Sequence, residues 1–483
     1  MQDVPFRSAV ELAAGLRAKQ FGCRELLELY LRRAERFNPG LNAIIATDLA
    51  GARRRADEAD AALKRGETWG PLHGLPMTVK ESFDVAGMPT TWGVPEHKGN
   101  FARRNALAVE RFLAAGAIVF GKTNVPLMLA DWQSYNAIYG TTNNPWDVTR
   151  TPGGSSGGSA AALAAGLTGL EAGSDIGASL RNPAHYCGIF AHKPTYGIAS
   201  PKGQALPGRV APADISVIGP MARSAGDLAL GLEIMAGPDE IDGAGWRLDL
   251  PKPRQERLAD FRVAVMLDDP NSEVDRTVQD QLQGLADFLA SRGATIDDRA
   301  RPDIDTTEAH RVYIQLLRAA TSGRQTDEQF AANRATARTL EASDETYYAR
   351  MMRANTMAHR DWLAANETRH RMRLKWAAFF RDHDLFLCPV AASAAPPHDQ
   401  AGERWERMIT VNGKRVPTTD QLFWAGYTCA FYLPATTAPI GAAAGLPIGV
   451  QITGPQYGDL TCIRFAELLE REYRAFVPPP GYG

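Results

Sequence analysis

Thr151-Pro-Gly-Gly-Ser-Ser-Gly-Gly-Ser159 and Gly173-Ser-Asp-Ile-Gly-Ala-Ser-Leu-Arg181 are two turns rich in serine and glycine that follow each other closely in the chain. Upstream of both, the apolar run Leu75-Pro-Met-Thr-Val-Lys80 ends on a lysine. A serine hydroxyl is a weak nucleophile until a base removes its proton, and a lysine desolvated among apolar neighbours can be that base. The three segments together predict nucleophilic catalysis by serine.

Strands and helices alternate around these turns. Apolar spacing predicts a strand at 75–81, a helix at 105–115 and a strand at 117–121, and an alanine-rich helix at 159–166 opens directly from the first turn. This alternation predicts an α/β fold with a central mixed β-sheet flanked by helices on both faces. The other predicted elements are helices at 8–37, 48–65 and 274–292 and strands at 261–266, 384–390 and 446–453.

No low-complexity linker or internal repeat divides the chain, so residues 1–483 are expected to form a single large domain. Its predicted parts are N-terminal helices at 1–65, a core at about 70–200, a loop-rich segment at 200–256, a helical elaboration at about 305–382, and C-terminal strands and a helix at 384–475.

The composition excludes several classes of protein. The chain is 45% hydrophobic and 22% charged with a formal net charge of −2, which does not fit a strongly basic nucleic-acid binder. Its five cysteines are widely spaced and show no metal-ligand spacing, so we expect buried free thiols. We also expect neither a metal nor a cofactor. No signal peptide or run of 18 apolar residues is evident. We expect a cytoplasmic protein with a small-molecule partner and without nucleic-acid or membrane binding.

The first turn also admits a different chemistry. Gly153-Gly-Ser155-Ser-Gly157 satisfies the Gly-x-Ser-x-Gly pattern of an α/β-hydrolase, in which Ser155 would be the nucleophile of a Ser-His-Asp esterase. That pattern needs a strand leading into the turn, whereas the segment 143–152 contains two prolines and is predicted to be a loop. The esterase is therefore the weaker alternative, and it gives Lys80 no role.

Six linked segments resemble the amidase signature family, and the resemblance extends to Gly445-Leu-Pro-Ile-Gly-Val-Gln-Ile-Thr-Gly454. They are Leu72-His-Gly-Leu-Pro-Met-Thr-Val-Lys80, Gly121-Lys-Thr-Asn124, Asn144-Pro-Trp-Asp147, the two serine-rich turns, and Lys193-Pro-Thr195.

The resemblance implies a catalytic triad. By position, Ser179 is the nucleophile that carries the acyl group, Ser155 is a bridging serine held on a cis peptide bond, and Lys80 is the general base. Chemistry alone does not separate Ser155 from Ser156, because either could cap the following helix; only the family spacing favours Ser155. The backbone amides of 176–179 are expected to bind the oxyanion, including those of Ile176, Gly177 and Ala178.

Other residues are expected to support this triad. Asp175 and Arg181 are expected to form an ion pair that holds the second turn. Ser156 is expected to be a structural residue that contacts the catalytic groups and takes no part in the reaction. Glu81 is expected either to be exposed to solvent or to contact the residues that position the catalytic groups. His185 and His192 are expected to be packing or supporting residues.

The substrate is less well defined by the sequence. Ala178 resembles the residue found in some aryl acylamidases and cyclic nylon-dimer hydrolases, and the mainly apolar segment 420–434 favours an aryl or alkyl amide, although core packing explains that segment equally well. The loop after Asn124 resembles the acyl-pocket segment of the family, which implies that the backbone carbonyl of Leu129 meets the departing amine and that Trp132 forms a wall of the pocket. The residues of 305–382 that are candidates for lining the entrance beneath a helical lid are Tyr313, Met351 and Trp362.

These observations predict an amidohydrolase that cleaves a small hydrophobic or aryl amide, with esters and carbamates as side substrates, and that acts as a monomer or homodimer. The alternative within the same family is the glutaminase subunit of an amidotransferase complex.

Overall fold

A computed structural model describes residues 3–483 of the chain, and this part contains fourteen α-helices and fifteen strands. The helices are α1 (Ala9–Arg17), α2 (Cys23–Leu41), α3 (Leu49–Lys64), α4 (Leu107–Ala114), α5 (Gly157–Ala164), α6 (Arg181–Cys187), α7 (Ala225–Met235), α8 (Arg276–Ser291), α9 (Thr306–Ser322), α10 (Asp327–Thr339), α11 (Tyr347–Asn355), α12 (His359–Phe379), α13 (Leu422–Cys429) and α14 (Asp459–Glu472).

The strands are β1 (Ile44–Thr47), β2 (Pro76–Lys80), β3 (Ile118–Thr123), β4 (Tyr135–Asn136), β5 (Gly140–Thr141), β6 (Glu171–Asp175), β7 (Phe190–Lys193), β8 (Val217–Ala222), β9 (Arg262–Val265), β10 (Thr295–Asp297), β11 (Leu385–Pro389), β12 (Met408–Val411), β13 (Lys414–Pro417), β14 (Ala435–Ala443) and β15 (Leu446–Thr453).

Eight of these strands form the central sheet, in the order β10-β9-β11-β15-β14-β7-β8-β6. Strand β9 is parallel to both β10 and β11, whereas every pairing from β11 to β6 is antiparallel. Helices α6, α7, α8 and α14 pack against this sheet. The predicted α/β fold with a mixed central sheet is confirmed.

A second sheet of three strands, in the order β1-β3-β2, carries the lysine of interest. All five residues of β2 are buried, which fits its apolar sequence, and Lys80 is its last residue. Strand β2 packs against β6, the edge strand of the central sheet. This contact places Lys80, the last residue of β2, close to the second serine-rich turn, which begins at the end of β6.

The helical elaboration is confirmed, because α9 to α12 fill most of 305–382. Asp305 caps α9 by accepting a hydrogen bond from the Glu308 amide. The buried face of α9 has helical spacing and joins the main core. Its buried residues are Ala309, Val312, Tyr313, Ile314, Leu316 and Leu317.

Two predicted stretches differ from the structure, and one long strand has no counterpart in the prediction. The single helix predicted at 8–37 is two helices, because the chain turns between them, where Lys19 has a left-handed φ of 56°. The segment 200–256, predicted to be loop-rich, contains β8 and α7. Gly219 and Pro220 interrupt the apolar run of β8, and these residues are normally signals of a loop. Strand β14 is absent from the prediction, because alanine, glycine and proline, which have little strand propensity, make up most of its sequence.

All five cysteines are buried free thiols, as predicted. Of the helices in residues 3–483, none combines the length and the apolar character needed to cross a membrane.

Candidate active site

Lys80 is fully buried at the end of β2, and its amine contacts three serines. Its Nζ lies 2.6 Å from Ser155 Oγ, 3.0 Å from Ser156 Oγ and 3.0 Å from Ser174 Oγ. Burial lowers the pKa of Lys80 to about 7, although the carboxyl groups of Asp175 and Glu171 oppose this shift. A substantial fraction of the amine is therefore neutral near neutral pH, and a neutral amine has a lone pair that accepts a proton.

The first serine-rich turn needs its glycines because other backbone segments pass close to it. A Cβ on Gly154 would lie 2.3 Å from the Asp131 carbonyl oxygen, and one on Gly158 would lie 2.3 Å from the Asn124 amide nitrogen. The peptide bond between Gly154 and Ser155 is cis. The Ser156 side chain makes no capping bond to α5, so its expected role as a possible helix cap is not seen.

The second turn leaves the central sheet at Asp175 and enters α6 at Arg181. The carboxylate of Asp175 accepts hydrogen bonds from the amides of Ala178 at 2.9 Å and Leu180 at 3.1 Å. Ala178 has a left-handed φ of 67°, a conformation that is unfavourable for a residue with a side chain. Asp175 therefore holds the backbone on both sides of Ser179 in a fixed turn.

This arrangement reduces the set of amides available for an oxyanion. The Ala178 amide is occupied, because it donates its hydrogen bond to Asp175. Within residues 3–483, the amides of Ile176, Gly177 and Ser179 donate no hydrogen bond. Three of the four expected donors are thus free to bind a developing negative charge.

A buried ion pair fixes the same turn, as the sequence suggests. Arg181 donates to both carboxylate oxygens of Asp175, at 2.9 and 3.0 Å, and neither side chain is exposed. Burial alone would raise the pKa of Asp175, but the guanidinium of Arg181 lowers it to about 2. The same guanidinium also donates to Thr428 Oγ1 and Gln451 Oε1, which ties the turn to α13 and β15.

The variant Asp175→Asn is expected to lose about 3–5 kcal/mol of unfolding free energy, because it leaves the buried Arg181 without a counter-charge. Urea unfolding at pH 7 measures the loss. The control is Arg371→Met, which removes an exposed pair with Glu367 and should leave the midpoint almost unchanged. An Asp175→Asn midpoint equal to that of the wild type would show that the pair does not hold the fold.

Two adjoining cavities meet at Ser179. The larger has a volume of about 610 Å³ and is lined by Ser179, Ile176 and Gly177. The smaller is a crevice of about 20 Å³ that is lined by Ser155, Ser174 and Ser179. The structure therefore brings the two predicted catalytic serines to one crevice and opens Ser179 to a space large enough for a substrate.

Leu129 and Trp132 both line the larger cavity, at the position expected for a pocket. Trp132 Nε1 donates a hydrogen bond to the carbonyl of Gly177 at 2.7 Å, which fixes the indole against the second turn. Leu129 also lines the crevice beside the two serines.

The helical elaboration contributes to the cavity through residues other than those expected. Tyr313 donates a hydrogen bond to the Ile176 carbonyl at 3.1 Å, so it contacts the second turn without lining the cavity. Met351 is buried in the packing of α11, and Trp362 stacks on His359. Neither lines the cavity; their helical spacing reflects core packing.

The segment 420–434 also belongs mainly to the core. Its large side chains Phe423, Trp424 and Tyr427 are buried in the main core, and only Gln421 and Leu422 line the cavity. Of the two explanations that the sequence leaves open, core packing accounts for most of this segment.

Glu81 is fully buried, so the expectation of an exposed side chain is wrong. Its carboxylate accepts hydrogen bonds from the amides of Thr91, at 2.5 Å, and Trp92, at 2.9 Å. His185 and His192 are also buried in hydrogen-bonded packing, and His192 Nε2 lies 3.0 Å from Asp459.

Several polar groups behind Lys80 are not identified by the sequence. The hydroxyl of Ser174 is the third that contacts the Lys80 amine, and this hydroxyl also accepts a hydrogen bond from Gln204 Nε2 at 3.2 Å. Glu171 is fully buried, and burial raises its pKa to about 8, although hydrogen bonds from Thr78 and other hydroxyls oppose the rise. Ser174 and Glu171 both belong to β6, a short strand in which no local signal marks them as neighbours of the lysine.

No metal centre is formed by the described part of the chain. In residues 3–483, no group of three or more His, Cys, Asp or Glu side chains is arranged to hold a metal ion.

Comparison with known proteins extends the resemblance over almost the whole chain. The family model described as Amidase matches residues 25–463. The indoleacetamide hydrolase of Bradyrhizobium diazoefficiens is 32% identical over 473 residues, which cover 96% of this chain and 86% of that protein. A glutamyl-tRNA(Gln) amidotransferase chain of Anaeromyxobacter sp. is also 32% identical, over 97% of both chains.

The solved structure of 6-aminohexanoate cyclic dimer hydrolase has a TM-score of 0.76 and 25% identity, over 99% of this chain and 98% of that one. The family model spans both serine-rich turns and Lys80, and the relatives match nearly the full length. The chain therefore belongs to the amidase family, and it is a hydrolase that acts on the carbon–nitrogen bond of amides.

Proposed function

We propose that this hydrolase cleaves carboxylic amides through an acyl-enzyme on Ser179, with Ser155 as the proton relay and Lys80 as the general base. The observation that carries the proposal is the buried amine of Lys80, 2.6 Å from Ser155 Oγ, beside a crevice that Ser155 shares with Ser179. A base must lie within hydrogen-bond reach of the proton that it takes, and this distance meets that requirement.

In the acylation half-reaction, neutral Lys80 accepts the proton of Ser155 while Ser155 accepts the proton of Ser179. The Ser179 oxygen then bonds to the amide carbonyl carbon, and the carbonyl oxygen becomes an oxyanion. When the carbon–nitrogen bond breaks, Ser155 gives its proton to the leaving amine and regains one from Lys80. Water repeats the relay in place of Ser179 and releases the acid, which restores all three residues.

The free amides of Ile176, Gly177 and Ser179 are suited to the oxyanion, because preorganised donors stabilise charge that develops in the transition state. In the proposed complex the carbonyl of Leu129 receives the departing amine. The bidentate contact between Asp175 and Arg181 keeps these amides in place while the charge forms.

We propose a small substrate with an apolar or aryl body. Leu129, Trp132 and Leu422 give the 610 Å³ cavity apolar surface from two separate segments of the chain. Esters and carbamates are proposed as side substrates, because the same acyl-enzyme route serves these carbonyl compounds.

The test is a panel of anilides, aliphatic amides, carbamates and glutamine, assayed with the pure protein for both the acid and the amine. Stoichiometric release of the two products from an anilide supports the proposal. Failure to hydrolyse any member of the panel, together with no reaction with a fluorophosphonate, would contradict it.

The variants Ser155→Ala and Ser156→Ala separate the two serines that the sequence does not distinguish. Both hydroxyls contact Lys80, at 2.6 and 3.0 Å, but only Ser155 also lines the crevice with Ser179. Ser155→Ala is expected to lower kcat by about 10²–10⁴-fold, the range for loss of a general acid–base group, and Ser156→Ala by less than about 10-fold. Steady-state kinetics on one anilide measures both; the reverse order of effects would assign the relay to Ser156.

The glutaminase component of an amidotransferase is the second candidate, and the similarity to the Anaeromyxobacter chain favours it. Release of ammonia from glutamine and co-purification with a partner protein would support this function. An amidase that acts as a monomer or homodimer should instead turn over anilides without any partner.

A further inference from the structure

Three arginines line one region of the 610 Å³ cavity: Arg318, Arg324 and Arg404. Arg318 lies in the last turns of α9, beside the cavity-lining residues Leu317 and Thr321, and Arg324 follows the end of that helix. Arg404 lies on the loop between β11 and β12. Segments distant in sequence thus bring three guanidinium groups to the substrate cavity.

Within residues 3–483, none of the three forms an ion pair with a carboxylate. Arg324 donates to the Met128 carbonyl at 2.9 Å, and Arg404 donates to the Ala130 carbonyl. The side chain of Arg318 makes no hydrogen bond within this part of the chain, and its guanidinium carbon lies 5.2 Å from the centre of the Tyr347 ring. The Nε atoms of Arg318 and Arg404 are buried without a partner.

In the described part of the chain, the other charged residues of the cavity form no ion pair with this cluster, although the carboxylates of Asp131 and Glu403 oppose the lowering of the pKa of Arg404 by burial. Asp131 pairs with Arg407 at 2.6 Å, and Asp275 caps α8. Arg150 pairs with Asp147, and Arg415 is exposed on β13. One further carboxylate, Asp399, lines the cavity without reaching any of the three arginines within ion-pair distance.

Burial of like charges near one another is unfavourable unless a counter-ion is bound. Burial, together with the neighbouring guanidinium of Arg404, lowers the pKa of Arg318 to about 9 and of Arg324 to about 10. A guanidinium stays protonated at neutral pH, so the cluster is cationic. An anion in the cavity would relieve this repulsion and satisfy the free donors.

We propose that the amide substrate carries a carboxylate, and that Arg318, Arg324 and Arg404 bind it. Arg324 also lines the crevice that contains Ser155 and Ser179, so the carboxylate lies within a small molecule's length of the amide to be cleaved. Guanidinium groups are well suited to carboxylates because their donors match the two oxygens. The inference rests on the proposed function where it concerns cleavage of the amide, whereas binding of the carboxylate does not depend on that function.

Matched acid and ester pairs test the preference in catalysis. One pair is 4-acetamidobenzoate and its methyl ester, with the charge on the amine side; the other is N-succinyl-4-nitroaniline and its methyl ester, with the charge on the acyl side. We expect kcat/KM for the acid to exceed that for the ester by at least about 10-fold in one pair, because hydrogen bonds to charged groups are the stronger ones.

Arg318→Gln is the best variant, because Arg318 makes no hydrogen bond that the fold would lose. It should lower the ratio of kcat/KM for the acid to kcat/KM for the ester by at least about 10-fold. The matched control is Arg360→Gln, whose side chain is 90% exposed on α12 and should change neither value. An Arg318→Gln protein that keeps the full preference would overturn the assignment.

Calorimetric measurement of ligand binding to the Ser179→Ala variant separates this inference from the catalytic proposal. We expect glutarate to bind this variant at least about 10-fold more tightly than dimethyl glutarate, and Arg318→Gln in the same background to abolish the difference. Equal binding of the two compounds, or none, would overturn the inference even if neutral amides are hydrolysed. If glutarate binds preferentially to Ser179→Ala but the wild-type protein hydrolyses no amide, the inference is supported and only the proposed catalytic function is contradicted.

Discussion

Replacing Ser179 with alanine is expected to lower kcat/KM for an anilide by at least about 10⁴-fold while the protein remains folded. Removal of the nucleophile from a covalent hydrolase leaves only binding and oxyanion stabilisation, and effects of this size or larger are typical. The substitution removes one hydroxyl from a turn that Asp175 and Arg181 hold, so the unfolding midpoint should change little. Steady-state kinetics and urea unfolding on the same preparation measure both quantities.

Ser216→Ala is the control for this variant, because Ser216 lines the same crevice but has no place in the relay. It should retain most of the wild-type activity. If Ser179→Ala keeps more than about 1% of wild-type kcat/KM, the acyl-enzyme route through Ser179 is wrong.

The second large effect is expected at Lys80. Lys80→Met should lower kcat by at least about 10³-fold, within the range for removal of a general base, because no other titratable group contacts Ser155 Oγ among the described residues. Lys80→Arg should be equally inactive at every pH, since a guanidinium stays protonated and cannot accept the serine proton. A Lys80→Met enzyme with a tenth of the wild-type rate would exclude lysine as the base.

The wild-type pH profile follows from the state of the same amine. Burial lowers the pKa of Lys80 to about 7, and only the neutral form accepts a proton. Below that pH, log kcat/KM should rise with a slope of 1, and above about pH 8 it should level off. A flat profile from about pH 5.5 to 8.5, measured with chemistry rate-limiting, would show that Lys80 does not titrate in the reaction.

The parts of this account that sequence predicts well are those encoded locally. The apolar run before Lys80 forms a buried strand because each of its residues can pack, and an alanine-rich helix forms as its composition indicates, although it begins inside the first turn, at Gly157. The ion pair between Asp175 and Arg181 is also local, since six positions separate its members. The resemblance to a family then places these pieces relative to one another.

The parts that sequence does not predict arise from contacts between distant segments. Arg318 and Arg404 are 86 positions apart by number, and nothing in either segment marks them as neighbours in one cavity. The Ala178 amide is occupied because the Asp175 side chain folds back onto its own turn, and Glu81 is buried beneath the segment that donates to it. Strand β8 forms despite its glycine and proline because it pairs with β6 on one side and β7 on the other, segments distant from it in sequence.

These tertiary contacts change the picture of the substrate. The sequence alone favours an apolar amide, and the cavity keeps apolar surface at Leu129, Trp132 and Leu422. The arginines Arg318 and Arg324 add a cationic region beside it. An amide with an apolar body and a carboxylate fits both features.

The most direct test of the central claim is to locate the serine that a fluorophosphonate modifies. Trypsin leaves both candidate serines in one peptide, 151–181, because no lysine or arginine lies between them, whereas cleavage after Glu171 separates Ser155 from Ser179. Mass spectrometry of that digest should find one phosphonyl group, on the fragment that contains Ser179. A phosphonyl group on the Ser155 fragment, or none on either, would contradict the account.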